Sequence, residues 1–266
     1  MDIQIISDLH LETPSGYDSF EIPPKAPHLA LLGDIGNVRD KAFFPFIEAQ
    51  LLRFQTVFFL LGNHEPYHST WAESREQVTN FSNQISQRNS KGFGTFIFLD
   101  RTRYDVSADI TVLGCTLHSY VPIQHMATVI MGLNDFYHID NWSVLEHNNA
   151  HVRDLAWLNE QVTSISKLEP RRKIVIFTHH SPIMGDARAA DPMHIGSALS
   201  TAFATDLSDE ECWKSPNVCL WAFGHTHFNC NFNVELEGST RRIVANQRGY
   251  YFKQVDNFKV EMVTSV

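Results

Sequence analysis

Short apolar runs, most of them four to six residues and rich in Val, Ile, Phe and Leu, recur along this chain. They cover residues 3–6, 28–32, 56–61, 95–99, 110–114, 173–177, 218–223, 231–236, 242–245 and 258–263. Runs of this kind read as central strands buried on both faces. Between the early ones lie helix candidates. Residues 40–53 carry Phe43, Phe44, Phe46, Ile47, Leu51 and Leu52, and residues 69–88 open on a capping-type Ser69-Thr70 and continue with Trp71, Val78, Phe81 and Ile85. Alternating strands and helices predict a parallel sheet built from βαβ units in the N-terminal half.

Five polar clusters punctuate this pattern, four of them directly behind an apolar run. They are Asp8-Leu9-His10, Gly33-Asp34, Gly62-Asn63-His64-Glu65, His179-His180 and Gly224-His225-Thr226-His227. The first three stand roughly 30 residues apart, about one βαβ repeat. Each therefore falls at the carboxyl end of a strand, where open α/β sheets place their ligands.

The chemistry of each cluster has a bland alternative. Asp8 and His10 at i and i+2 on an extended strand end point the same way and reach one metal, yet Asp-x-His alone is common in surface turns. Asp34 closes a buried strand, where a carboxylate is costly unless paired or metal-bound; as a helix cap it would be unremarked. Its two oxygens suit it to bridge two cations, and Gly33 lets backbone approach. Neutral Asn63 lowers the negative charge that metals share with a phosphate, and neighbouring His64 is placed to protonate a departing oxygen. Adjacent His179 and His180 diverge, so one binds metal; His179 is the choice and His180 a supporting or packing imidazole. His225 and His227 share a face, each available to a different metal. Five ligand-rich strand ends in one chain are hard to assign to chance, and carboxylate, amide and imidazole together form the ligand mix of a paired divalent metal site.

These motifs resemble the calcineurin-like metallophosphoesterase superfamily, whose pattern is D-x-H, G-D, G-N-H-[DE], a later H, and G-H-x-H. The match runs from residue 8 to 227 in order with no ligand missing. The resemblance implies an α/β four-layer αββα sandwich with a dinuclear site. It assigns Asp8, His10, Asp34 and His227 to one metal, and Asp34, Asn63, His179 and His225 to the other. A metal-bridging hydroxide would attack phosphorus in line, with His64 as proton donor to the leaving group. The second cluster, Gly33-Asp-Ile-Gly-Asn-Val-Arg39, lacks the Asp-Arg pair of the protein phosphatases, which argues against that activity and leaves Asn37 as the expected partner of His64. Segments 114–119 and 246–250 look like those of a small subgroup of predicted phosphohydrolases. Arg248 is the candidate phosphate contact, because guanidinium matches phosphate oxygens. His118 and His138 are weaker candidates for the pocket wall, with packing or surface roles as the alternative.

Composition narrows the setting. A formal charge of −9 and pI near 5.8 argue against broad binding to nucleic acid or anionic membrane. No basic leader precedes the first strand and no apolar stretch reaches membrane-spanning length. Four cysteines without CxxC spacing read as free thiols, so a cytoplasmic protein is expected. One domain over residues 1–266 is expected, with excursions over the active face at 115–150 and 183–215 building the pocket walls. The substrate is then a small phosphorylated molecule, monoester or diester, and the cofactors two divalent ions among Mn, Fe, Zn and Ni. Two other readings stay open: a metal-stabilised scaffold for a protein partner, and a nuclease using Arg171, Arg172, Arg241 and Arg242.

Overall fold

The computed structural model describes residues 1–88, 92–236 and 238–266. The N-terminal half runs β1 (Asp2–Ile6), α1 (Gly16–Ser19), β2 (His28–Leu32), α2 (Phe43–Leu51), β3 (Thr56–Leu60), α3 (Trp71–Gln87) and β4 (Thr95–Phe98). There follow β5 (Thr102–Asp105), β6 (Ile110–Cys115), α4 (Met126–Gly132), α5 (Asp135–His138), α6 (Val144–Leu168) and β7 (Lys173–Thr178). The chain closes with α7 (Glu211–Lys214), β8 (Val218–Phe223), β9 (Cys230–Leu236), β10 (Ser239–Ala245), the short pair β11 (Gly249–Tyr250) and β12 (Lys253–Gln254), and β13 (Val263–Ser265).

Two sheets form. The first has the order β13-β1-β2-β3-β4, with β1 to β4 parallel and β13 antiparallel at one edge. The second has the order β5-β6-β7-β8-β10-β9, in which β6, β7, β8 and β10 are parallel and both edges antiparallel.

Side-chain alternation along each strand builds the layers. In β2 and β3, Ala30, Leu32, Phe58 and Leu60 face Val175, Phe177, Leu220 and Ala222 of the second sheet. The opposite residues, Leu29, Leu31, Val57 and Phe59, pack on Phe43, Phe46 and Ile47 of α2 and Val78, Phe81 and Ile85 of α3. On the far side, Leu113, Ile174, Ile176 and Trp221 meet Leu158, Val162 and Ile165 of α6. The expected αββα sandwich is the result. Its parallel strands bury both faces, which explains why they read as continuous apolar runs.

Local rules set the helix ends. Thr70 caps α3, accepting from Glu73 N–H while the Glu73 carboxylate accepts from Thr70 N–H. The expected hairpin forms between β9 and β10; Glu237, in its expected turn, lies outside the described residues. Two expectations need correction. Of the final run, 258–263, only Val263 lies in a strand, β13, because Asn246 takes both the N–H and the C=O of Lys259 and acts as the ladder partner there. The excursion at 115–150 contains α4, α5 and the first turns of α6, a 25-residue helix the sequence reading did not include. No helix among the described residues is long and apolar enough to cross a membrane.

Phe58, fully buried between the sheets with its ring 6.1 Å from that of Phe177, tests the sandwich. Phe58→Ala should cost ~3–5 kcal/mol and Thr70→Ala ~1 kcal/mol, read as shifts of the urea midpoint at unchanged slope.

Candidate metal centre

Five strands deliver the polar clusters to one rim. Asp8 and His10 follow β1, Asp34 follows β2, Asn63 and His64 follow β3, His179 follows β7, and His225 and His227 follow β8. The backbone at these positions is not the extended one expected. Asp8, His10, Asp34, His225 and His227 all adopt left-handed φ values, between 48° and 67°. A non-glycine residue there costs of order 1–3 kcal/mol and persists where surrounding structure dictates it. Leu9 stays fully buried between Asp8 and His10, so the polar pair shares a face through a kink rather than through strand pleat. Two glycines permit the crowding. A Cβ on Gly62 would stand 2.2 Å from Asp34 Oδ1, and one on Gly33 would stand 2.6 Å from His179 Nδ1.

Three overlapping donor groups result: Asp8, His10 and His227; His10, Asp34 and His64; and Asp34, His179 and His225. Within each, one ligand atom per residue lies within 4.8 Å of the others. The hydrogen-bond pattern says what these atoms await. His179 Nδ1–H donates to the Leu32 carbonyl at 2.8 Å, so its Nε2 presents a lone pair 3.0 Å from Asn63 Oδ1. The Asn63 amide NH2 is committed to Asp135 Oδ1 at 2.8 Å, which turns its oxygen inward. His10 Nδ1–H donates to Glu12 at 3.1 Å, and its Nε2 stands 3.1 Å from His227 Nε2. Acceptors facing acceptors at such distances need a cation or a proton between them. His225 Nε2 is buried without a protein partner. The residues fit a pair of divalent ions.

In the metal-free chain protons take that role. Burial lowers the affinity of His179 for a proton, but the Asp34 carboxylate outweighs it and raises this imidazole to about 10. Asp34 is buried, which works against its charge; His179, His64 and His10 nonetheless hold it well below the carboxylate range. Asp8 is lowered in the same way, burial being overcome by His227. His225 goes the other way, to about 3, through burial and then the His179 charge.

His64 sits at the edge of this centre. Its Nδ1–H donates to Glu12 at 2.9 Å, its ring stacks on Tyr67 with centroids 4.3 Å apart, and its Nε2 lies 4.0 Å from Asp34 Oδ2 and 3.5 Å from the Tyr250 hydroxyl. Burial opposes its charge, but Asp34 and Glu12 lift it to about 9. Glu12, held near 2 by His10 and His64 against its burial, is thus the carboxylate that orients both imidazoles. Sequence reading missed it. The signal was available in the alternation Asp8-Leu-His10-Leu-Glu12, with both leucines fully buried.

Two expectations fail here. Asn37 does not reach His64: its amide donates to the Tyr67 carbonyl and its oxygen accepts from Arg39 N–H. Arg248 does not line the cavity, because its guanidinium donates to the Leu9 carbonyl and lies over the Phe20 ring. His118 is buried against Trp71, Trp142 and His147, and His138 packs beside Tyr67 and His68; neither lines the cavity. His180 points away from Asp34, stacking instead near His118 and His225.

A cavity of about 490 Å³ opens over Asp34, Asn63, His64, His225 and His227. Residues 132–135 and 183–204 supply much of its wall, and Tyr67 and Tyr250 border the centre.

Buried carboxylates and imidazoles on the strand ends of an αββα sandwich define a metal-dependent phosphoester hydrolase. The chain belongs to the calcineurin-like phosphoesterase family, whose model matches residues 1–229. A curated relative, an uncharacterized protein of Acanthamoeba polyphaga mimivirus, is 28% identical over 265 residues, covering 93% of this chain and 91% of the relative. The fold is similar to phosphopantetheinyl hydrolase from Mycobacterium tuberculosis, with TM-score 0.65 and 15% identity over 93% of this chain and 89% of that one. It is also similar to a dimetal phosphatase from Danio rerio, with TM-score 0.52 and 13% identity over 92% and 86%.

Loading the centre must displace the proton that His179 holds below about pH 10. Titration of the metal-free chain with Mn²⁺ at pH 7.5 should release at least one proton per chain, measured as a calorimetric heat that scales with buffer ionisation enthalpy. Buffer-independent heat would contradict it.

Proposed function

We propose that this chain hydrolyses a phosphoester bond of a small molecule at a centre of two divalent ions. Asp8, His10, Asp34 and His227 would hold one, and Asp34, Asn63, His179 and His225 the other, with Asp34 shared. Mixed oxygen and imidazole donors suit Mn, Fe, Zn or Ni. Bound ions supply an activated water and positive charge for the phosphate.

The protein's own contributions follow from its geometry. His64 Nε2 faces the cavity beside Asp34 and Tyr250, where it can give a proton to the departing oxygen as the phosphorus–oxygen bond breaks. Glu12 fixes the ring by accepting a hydrogen bond from Nδ1–H, and Tyr67 holds its plane. The Asp34 carboxylate accepts His64 N–H at 2.8 Å, so the group that collects the donor atoms also sets the backbone of the proton donor. The single observation that carries this reading is that convergence: two donor groups share the Asp34 carboxylate, one of them with His64 inside it, and the third joins them through His10.

The likeness in fold to a phosphopantetheinyl hydrolase and to a dimetal phosphatase supports hydrolysis of a phosphoester, whether monoester or diester. A small substrate is supported over nucleic acid by two of the four arginines named earlier. Arg241 is fully buried on Trp213 and donates to Val218 O, while Arg172 is paired with Glu169. Four cysteines, all free, support the cytoplasmic location.

His64→Ala should lower kcat by ~10²–10⁴ with metal content unchanged. Glu12→Gln keeps the shape but weakens the hold on the ring, and a loss of ~10-fold or more is expected, as for other partners that orient a site imidazole. Turnover of p-nitrophenyl phosphate and bis(p-nitrophenyl) phosphate with Mn²⁺, Fe²⁺, Zn²⁺ and Ni²⁺, alongside metal analysis, checks both. Full turnover in His64→Ala would remove that residue from the mechanism.

A further inference from the structure

The wall of the cavity has a composition that the phosphoester reading does not use. Beyond the donor atoms, Leu133, Ile183, Met184, Ile195, Leu199 and Phe203 give it a large apolar surface, beside polar side chains that include His125, His194, Ser200 and Thr201. Among the described residues that line it there is no lysine and no arginine. The carboxylates there, apart from Asp34, are Asp135 and Asp191. Asp135 is occupied by the Asn63 amide and the Tyr67 hydroxyl, and Asp191 stands on the loop that forms the outer wall.

Arginines near in the chain to the site or its wall are turned elsewhere. Arg39 donates to the His68 carbonyl, Arg188 is paired with Asp186 and lies over Phe232, and Arg248 is held by Leu9 and Phe20. No ammonium or guanidinium therefore lines the wall; outside the metal centre its basic groups are the imidazoles of His125 and His194. A second phosphate or a carboxylate on the far arm of a substrate would meet apolar side chains, Asp191 and the imidazoles of His125 and His194, with no lysine or arginine to pair with it. Desolvating such an anion is costly, whereas an apolar arm gains from the same wall.

A volume of about 490 Å³ leaves room for such an arm, within the range of small-molecule sites. Two exposed methionines adjoin lining residues in the chain. Met131 precedes the lining residue Gly132, Met193 precedes His194, and both methionines are exposed, at 75% and 83%.

Resting on the phosphoester reading, we infer that the substrate carries a single phosphate joined to an uncharged, largely apolar arm that lies against Ile183, Ile195, Leu199 and Phe203. Each methylene buried there strengthens binding by up to about fourfold. Nucleotide polyphosphates and phosphopeptides with acidic flanks fall outside this class.

Non-hydrolysable phosphonates separate binding from turnover. Calorimetric titration of the Mn²⁺-loaded chain with methyl-, butyl- and octylphosphonate should show Kd tightening at least tenfold along the series. The arm of octyl length that ends in a carboxylate, 7-carboxyheptylphosphonate, should bind at least tenfold more weakly than octylphosphonate. Leu199→Lys should reverse that last preference; Ile195→Lys, at a partly exposed position, serves if the first variant does not fold. Equal affinity along the series, or an octyl preference that survives both lysine variants, would overturn the inference while leaving the phosphoester reading in place. Binding of no phosphonate, with no turnover of p-nitrophenyl phosphate, would overturn both.

Discussion

A carboxylate sunk where two sheets meet cannot stay without partners, and the rest of this centre is arranged around that constraint. Asp34 is 1% exposed, and no lysine or arginine pairs with it among the described residues. Its neutralisation falls to imidazoles: His179 Nε2 at 3.5 Å, His10 Nε2 at 3.9 Å and His64 Nε2 at 4.0 Å. These three come from strand ends of both sheets, so the sandwich must close for the charge to be met. The crowding at Gly33 and Gly62 and the left-handed backbone at Asp34 follow from bringing those ends so near. Glu65 secures the arrangement by accepting the N–H groups of Asp34, Ile35 and Gly62 with one carboxylate. Burial and the Asp34 charge push Glu65 up to about 8, against the pull of those donors. Charge at Asp34 thus reaches even the clamp that positions it.

What was legible in the sequence was whatever burial writes as a pattern. Strands covered on both faces leave apolar runs, and the polar residues that end them stand out. α6 was hidden for the opposite reason. Its later turns carry Leu158, Val162 and Ile165, but its earlier turns bury His147, Asn148, His151 and Asp154. A helix that turns a polar face inward has no apolar stripe to read. Those groups are satisfied by specific partners: Asn148 with both backbone groups of Val121, Asp154 with Leu117 N–H and Arg101. Pairing of that kind depends on tertiary structure.

Side-chain direction was the other illegible quantity. Asn37 stands in the loop where the resemblance places the partner of the proton donor. Two local demands, the Tyr67 carbonyl and the Arg39 N–H, use it up instead, and Glu12 does the work from the strand end before. Arg248 has the chemistry of a phosphate contact, yet a guanidinium is also attracted by an aromatic face and a free carbonyl, and Phe20 and Leu9 offer both. Residue type says which contacts are available; the fold decides among them.

The adjacent imidazoles of His179 and His180 show how local that decision is. Both are fully buried, so both lose the same stabilisation of charge by water. His179 faces Asp34 and Asp8 and is raised; His180 faces His225, His147 and His118 and is lowered well below the ordinary range. Their rings stand 5.6 Å apart at 80°, divergent as neighbours at a strand end must be. The neutral ring behind His225 matters for the site. A charged His180 only 4.2 Å from that ring would compete with any cation placed there. Burying it among imidazoles and the tryptophans beside His118 keeps positive charge off the rear wall. The carboxylates in front are then left to be neutralised from the cavity side, where a phosphate would also arrive.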